Sequence, residues 1–195
     1  MKRERERETE TETDAKISLP LSMANRLINP GPVVLVTSQY AGVSNVMAAA
    51  WTMPISHDPP LVWVSISLDR FTHSLIERGG EFVLNVPGVG LAEQVKFCGT
   101  HSGRETDKFK EASLTPAKAE MVCAPLVGEC LGHLECRLVE SYSLGDHTLF
   151  VGRVVAVQAR PGTFDQTWLL AEREARPLHH LGGVHFGALE ERIRV

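Results

Sequence analysis

The chain has 195 residues, 43% of them hydrophobic and 23% charged, with a formal net charge of −4. This is the length of one domain and the composition of an ordinary globular protein with a substantial core. The acidic balance argues against a nucleic acid or an anionic membrane as partner, no run is long and apolar enough to span a bilayer, and the N-terminus lacks the apolar stretch of a secretory signal, so the expected location is cytoplasmic.

Residues 1–14, MKRERERETETETD, contain no apolar side chain after Met1 and set Lys2, Arg3, Arg5 and Arg7 against six acidic residues. Such a segment cannot bury a core, and a disordered tail is expected ahead of one domain over residues 15–195. SLPLSMANRLIN has helical spacing and stops at Asn29-Pro30-Gly31. PVVLVTS reads as a short buried strand. GVSNVMAAAWTMPI reads as a second strand, rich in small residues. PPLVWVSISL is the clearest strand: Val62, Val64, Ile66 and Leu68 make an aliphatic face, and Leu61, Trp63, Ser65 and Ser67 alternate with them. RFTHSLIERGG reads as a short helix closed by Gly79-Gly80. EFVLNV is a strand, and GVGLAEQVKFCG opens another helix. The polar stretch HSGRETDKF follows as a loop, and KEASLTPAK as a helix end and turn. Residues 131–160 read as two long strands about a turn at Gly145-Asp146, and ARPLHHLGGVHFGALEERI as irregular and histidine-rich. Strands dominate and helices come singly, which predicts a mostly β protein, an antiparallel barrel with added helices rather than a doubly wound parallel sheet.

Motifs narrow the chemistry. The phosphate-loop pattern GxxxxGK[ST] is absent, and GVGLAE carries Glu93 where a dinucleotide fingerprint has its third glycine. The cysteines Cys98, Cys123, Cys130 and Cys136 form no C-x-x-C pair; reduced thiols are expected, and no metal site. Four polar features stand out. The hydroxyls of Ser65 and Ser67 lead into LDRFTH, which puts Arg70, Thr72 and His73 at a helix N-terminus suited to an anion; Asp69 or Thr72 as a helix cap is the competing role. In SNVMAAAWT, the small residues Ala48, Ala49 and Ala50 admit a flat ligand close to the backbone, beside the amide of Asn45 and the ring of Trp51. A core tryptophan and a turn asparagine compete with that role. His147 follows a turn and can reach a barrel mouth, or it is structural. In HSGRETDKF, Arg104 and Lys108 are candidate phosphate partners, unless the loop is solvated and Lys108 pairs with Asp107. Together these residues suit a flat aromatic ligand that carries a phosphate, and they suggest no covalent nucleophile.

NVMAAAW, DPPLVWVSISLDRFTHSLIERGGEFVLNVP, CGTHSGRETDKF and GDHTLFVGRVV, in that order, resemble the flavin reductase-like proteins with the FMN-binding split barrel, most closely the flavoredoxin branch, over roughly residues 17 to 190. The resemblance implies a split antiparallel β-barrel and a homodimer with one FMN per subunit near the interface. It implies an oxidoreductase that takes electrons from NADH, NADPH or a protein donor, with a redox protein or a two-component monooxygenase as partner. An electron carrier without small-substrate turnover, or a flavin-binding module, is the alternative. Carried over residue by residue, Asn45 and Trp51 stand beside the flavin ring, Thr72 and Lys108 at the phosphate end, and His147 near the ring as the catalytic candidate. Phe186 flanks the ring, although its spacing from His147 is longer than the family pattern. Ala48, Ala49, Ala50, Ser65, Ser67, Arg70 and His73 complete the expected cofactor-binding set. One phosphate site and no second anion cradle predict FMN in preference to FAD.

Overall fold

In the computed structural model, which describes residues 16–193, a 3-10 turn leads into helix α1 (Ala24–Ile28), which ends at Asn29 as expected. The expected tail over residues 1–14 lies outside the described residues. The chain continues through β1 (Gly31–Pro32), β2 (Val34–Tyr40), β3 (Val43–Ala49), β4 (Thr52–Ser56), β5 (Leu61–Ser67), helix α2 (Phe71–Gly79), β6 (Glu81–Val86), helix α3 (Ala92–Thr100) and the one-turn helix α4 (Lys108–Glu111). Then come β7 (Pro116–Ala117), β8 (Leu126–Val127), the long β9 (Gly132–Leu144) and β10 (His147–Ala159), β11 (Phe164–Asp165), β12 (Thr167–Trp168), β13 (Leu178–Gly182) and β14 (His185–Ala188).

Seven strands form one antiparallel sheet in the order β3-β2-β6-β9-β10-β5-β4. β3 and β4 are neighbours in sequence yet occupy opposite edges. Only Ala50 and Trp51 join them, and so short a link spans about 10 Å. The sheet must therefore curl until its edges approach, and the β4–β5 ladder runs one rung past Thr52, where the Ser65 N–H donates to the Trp51 carbonyl at 2.9 Å. The expected barrel is thus a curled sheet, split at the seam rather than closed by a continuous ladder. The single strand expected over GVSNVMAAAWTMPI is corrected to two. Its apolar run has no turn residue to mark the break, because the chain changes edges without leaving the sheet.

Strand alternation decides what lies inside the curl. On β5, Val62, Val64 and Ile66 point inward and pack with Val36, Met47, Phe82, Leu84 and Phe150. Gly152 on β10 makes room for Phe82: a Cβ there would fall 2.5 Å from the Phe82 ring. The outer face of β2 and β3 presents Leu35 and Val46 to a second core with Val95 and Cys98 of α3 and Phe109 of α4. Gly80, with φ 70°, closes α2 in the left-handed region that favours glycine. The C-terminal segment, expected to be irregular, forms a hairpin that joins β1 in a three-stranded sheet β1-β13-β14. Its histidines and glycines hide the alternation, and Gly182 and Gly183, both at positive φ, make its turn.

Irregular residues 113–127 are held down by carboxylates. Glu135, fully buried on β9, accepts from the backbone N–H groups of Glu120 and Met121 at 2.9 and 2.6 Å. Glu81 of β6 accepts from those of Cys123 and Ala124. These bonds satisfy N–H groups that a segment with almost no ladder would leave unpaired.

Candidate functional site

A cleft of about 460 Å³ opens at the seam. Its floor is Ala48, Ala49, Ala50 and Trp51, where the chain crosses from β3 to β4. Ser65 and Ser67, on the outward face of β5, line one side with Arg70 and with His147, the first residue of β10. Asn25, Arg26 and Asn29 from α1 and His180 and Gly183 from the C-terminal hairpin line the other. The cleft runs into a smaller recess of about 120 Å³; the two share Met47, Arg70 and Gly99. Asn45, Thr72, Cys98, Gly103 and Lys108 are among the residues lining the recess. Sequence separations of up to 63 residues between Asn45 and Lys108 are thus closed by the fold.

The recess is built around the N-terminus of α2. Arg70 is the N-cap residue and no side chain caps the helix. Asp69 instead accepts from the Ser67 hydroxyl at 2.7 Å, which holds its carboxyl below the ordinary range. Thr72 accepts from Asn45 Nδ2 at 2.8 Å, and both residues are buried. The backbone N–H groups of Phe71 and Thr72 have no intrahelical acceptor, and the Thr72 hydroxyl keeps its proton to donate.

Lys108 corrects the solvated-loop alternative. It is 4% exposed, and its Nζ donates to the Cys98 carbonyl at 2.9 Å. Burial lowers its pKa to about 8; the neighbouring Cys98 opposes the shift and Arg70 reinforces it. Asp107 does not pair with it: that side chain caps α4, accepting from the Lys110 N–H at 3.3 Å. Lys108 forms no ion pair among the described residues. Burial pushes the Cys98 thiol up to about 11 against the pull of Lys108, so the recess holds no thiolate at neutral pH.

Arg104 serves the loop rather than the recess. Its Nη1 donates to the Asp69 carbonyl at 2.8 Å and its guanidinium lies 5.2 Å above the Phe71 ring, which straps HSGRETDKF across the start of α2. Gly103 completes that closure. A Cβ there would stand 2.0 Å from Asn45 Oδ1 and 3.1 Å from the Phe71 ring.

At the ring end, His147 Nδ1 lies 2.6 Å from Asp146 Oδ1, and the imidazole stands 4.8 Å from the Trp51 ring at 33°. Nδ1–H donates to the carboxylate, so Nε2 is the nitrogen left for a ligand. Asp146 is held below its ordinary range by this bond. His73 is not brought to the cleft: its Nε2 lies 2.8 Å from the Thr148 hydroxyl and its ring meets Phe150 edge-on at 5.0 Å, in the core beneath. The second helical residue from the N-cap faces the recess and the third faces inward, a distinction that one turn of helix in the sequence does not carry. Phe186 lines an adjoining hollow with Ala48, Ala49 and Ala50, its ring 5.3 Å from His180.

Sequence reasoning missed Arg26, Asn29, His180 and Gly103. The first three stand on the far wall of the cleft and Gly103 in the recess; the histidine-rich segment, expected to be irregular, supplies His180.

The family described as "Flavin reductase like domain" matches residues 26–179. The chain is 36% identical over 183 residues to the uncharacterized protein YddH of Escherichia coli, covering 91% of this chain and 96% of that one. It is 30% identical over 159 residues to a flavin reductase (NADH) of Kitasatospora aureofaciens, covering 74% and 80%. Among solved structures, an FMN-binding protein of Thermus thermophilus superposes with a TM-score of 0.79 at 31% identity, covering 93% of this chain and 99% of that one. A flavoredoxin of Methanosarcina acetivorans superposes with a TM-score of 0.81 at 26% identity, covering 93% and 95%.

Proposed function

The chain belongs to the flavin reductase-like family, near the flavoredoxins, and from that premise we propose that it is an FMN-dependent oxidoreductase fed by NADH or NADPH. The observation that carries this reading is Lys108: a buried ammonium with no ion pair among the described residues, facing a recess that also holds the open first turn of α2. A cation left without a counterion in low dielectric calls for an anion. The adjoining cleft has the volume of a small-molecule site, and among the described residues no aspartate or glutamate lines it. The residues present therefore fit FMN, phosphate in the recess and ring system in the cleft. The small recess favours one terminal phosphate over the longer tail of FAD.

Bound FMN supplies hydride acceptance and the onward release of electrons singly or in pairs. The protein's own contribution is binding, orientation and proton control. Lys108, Thr72 and the amides of Phe71 and Thr72 hold the phosphate. Asn45, tied to Thr72, fixes that hydroxyl's direction. Ala48, Ala49 and Ala50 keep bulk off the cleft floor so that a flat ring lies against the backbone. Trp51 and His147 border the ring; with Nδ1 committed to Asp146, His147 holds or gives a proton at Nε2.

The protein acts as a homodimer in this reading. Met53 and Ile55 are exposed on the edge strand β4, and Leu27, Ile28, Leu181 and Val184 are exposed around the cleft's far wall, an apolar surface suited to burial against a second copy. Its setting is cytoplasmic, where the four cysteines stay as thiols. A redox protein or the oxygenase half of a two-component system is the proposed downstream partner.

The test is a visible spectrum of the purified protein followed by anaerobic addition of NADH and NADPH. A flavin spectrum that bleaches with either nucleotide supports the oxidoreductase. A flavin spectrum that neither nucleotide bleaches assigns the chain to the electron carriers, the second reading that similarity to a flavoredoxin favours. Failure to take up FMN would remove both.

A further inference from the structure

One wall of the cleft holds a cation that lies outside the recess assigned to the phosphate. Arg26, on the last turn of α1, lines the cleft but not the recess. Its Nη1 lies 2.5 Å from where a Cβ on Gly182 would stand, so the guanidinium rests against the backbone of the hairpin turn. Gly182 has φ 118°, a conformation that favours glycine, and the bare Cα leaves this seat open.

Every other basic group on the cleft has an assignment. Arg70 is shared with the recess and lies 3.6 Å from Asp69. His147 is bonded to Asp146. Both nitrogens of His180 are engaged: Asn29 Nδ2 lies 3.3 Å from Nδ1, and Nε2 lies 3.1 Å from the Gly183 carbonyl. A carbonyl accepts only from Nε2–H, so with Asn29 at Nδ1 both ring nitrogens are occupied in bracing α1 to the hairpin. Among the described residues Arg26 forms no ion pair, and in a protein of net charge −4 none of those lining its cleft is a carboxylate.

We propose that Arg26 is a specificity-determining residue that receives the anionic group, a phosphate or a carboxylate, of the second ligand that enters the cleft beside the flavin. This rests on the assignment of the cleft to FMN and deepens it: the electron donor or acceptor is an anion. A guanidinium is always charged and presents paired donors, which suits an oxyanion better than a neutral carbonyl.

The experiment uses FMN-loaded protein, wild type and Arg26→Ala and Arg26→Lys, titrated with two matched probe pairs and read by perturbation of the flavin absorbance. The first pair is nicotinamide mononucleotide and nicotinamide riboside, which differ by one phosphate. The second is benzoate and benzamide, which differ by the carboxylate charge. In wild type, the anionic member of at least one pair binds about tenfold or more tighter than its counterpart. Arg26→Ala abolishes that preference, Arg26→Lys retains part of it, and FMN affinity is the same in all three. A response confined to the first pair assigns the anion to the phosphate of a nicotinamide donor, and one confined to the second assigns it to a carboxylated substrate. Equal affinities within both pairs in wild type, a preference that survives Arg26→Ala, or a loss of FMN affinity in that variant overturns the proposal. Failure of the wild type to take up FMN refutes the flavin reading itself; FMN uptake without an Arg26-dependent preference refutes this inference alone.

Discussion

The ammonium of Lys108 donates to the carbonyl of Cys98 at 2.9 Å, tying the start of α4 to the last turn of α3. The bond holds one of the ammonium's three protons and leaves the others for the recess. Lys108→Ala should weaken FMN binding by about 1.5–3 kcal/mol, the worth of a charge-assisted hydrogen bond, which is roughly ten- to a hundredfold in Kd. Riboflavin, which lacks the phosphate, should bind wild type and variant alike. Because the side chain is buried, Lys108→Met, which keeps the stem, is the control for packing. Flavin fluorescence titrations measure all of these. Equal losses for FMN and riboflavin in Lys108→Met would place the effect in the pocket rather than in the phosphate contact.

The same lysine makes FMN affinity depend on pH. Its pKa falls from 10.5 to about 8 in the folded apoprotein. Between those values the unfolded chain binds a proton that the folded one has lost, so apoprotein stability should rise with pH across that window. The contribution is complete above 10.5 and is lost as pH falls through 8. FMN reverses the preference, since its phosphate holds the charged form. Affinity for FMN should stay level between the phosphate's second ionisation, near pH ~6, and pH 8. Above pH 8 it should fall by up to about tenfold per unit. Riboflavin affinity should stay flat throughout; a parallel fall would exclude Lys108 as the cause.

Gly103→Ala tests the closure over α2. The added methyl would meet Asn45, which is buried and bonded to Thr72, so Asn45 yields only by breaking that bond. Overpacking of this kind costs roughly 1–3 kcal/mol. The expected outcome is a lower urea midpoint together with weaker FMN binding. A variant with both properties of the wild type would show that the loop opens freely.

Glu135→Gln tests the anchoring of residues 113–127. The carboxylate accepts from two backbone N–H groups, and the amide can accept only through its one oxygen. Loss of one bond to a buried charged acceptor should destabilise by about 1.5–3 kcal/mol in urea denaturation. Hydrogen exchange should quicken at Glu120 and Met121. An unchanged exchange rate at both amides would mean that the segment does not depend on Glu135.

The exposed apolar positions Met53, Ile55, Leu27 and Val184 predict a stable homodimer by light scattering at micromolar concentration. Met53→Glu with Ile55→Glu should shift the population toward monomer. A wild-type monomer with flavin bound would rule the dimer out.

Much of the architecture was written locally. The alternation of Leu61–Ser67 set which β5 residues entered the core, Gly80 and the Gly145-Asp146 turn ended their elements where the residue types demand, and the spacing of Ala24–Ile28 gave the entry helix. Small residues at Ala48–Ala50 and a polar stretch at 101–109 marked the two ends of the cleft, because a bare floor and a cationic loop each leave a compositional trace. Three things waited for the tertiary structure. The break at Ala50-Trp51 exists because the sheet curls, and no local signal announces a strand that resumes on the opposite edge. Whether Lys108 is a surface cation or a buried one depends on what α3 and β3 lay over it, and burial is what moved its pKa. Thr72 and His73 are adjacent in sequence, yet one faces the recess and the other Thr148, since successive helical residues point about 100° apart and only the packing of α2 against β2 and β3 decides which of them meets the ligand.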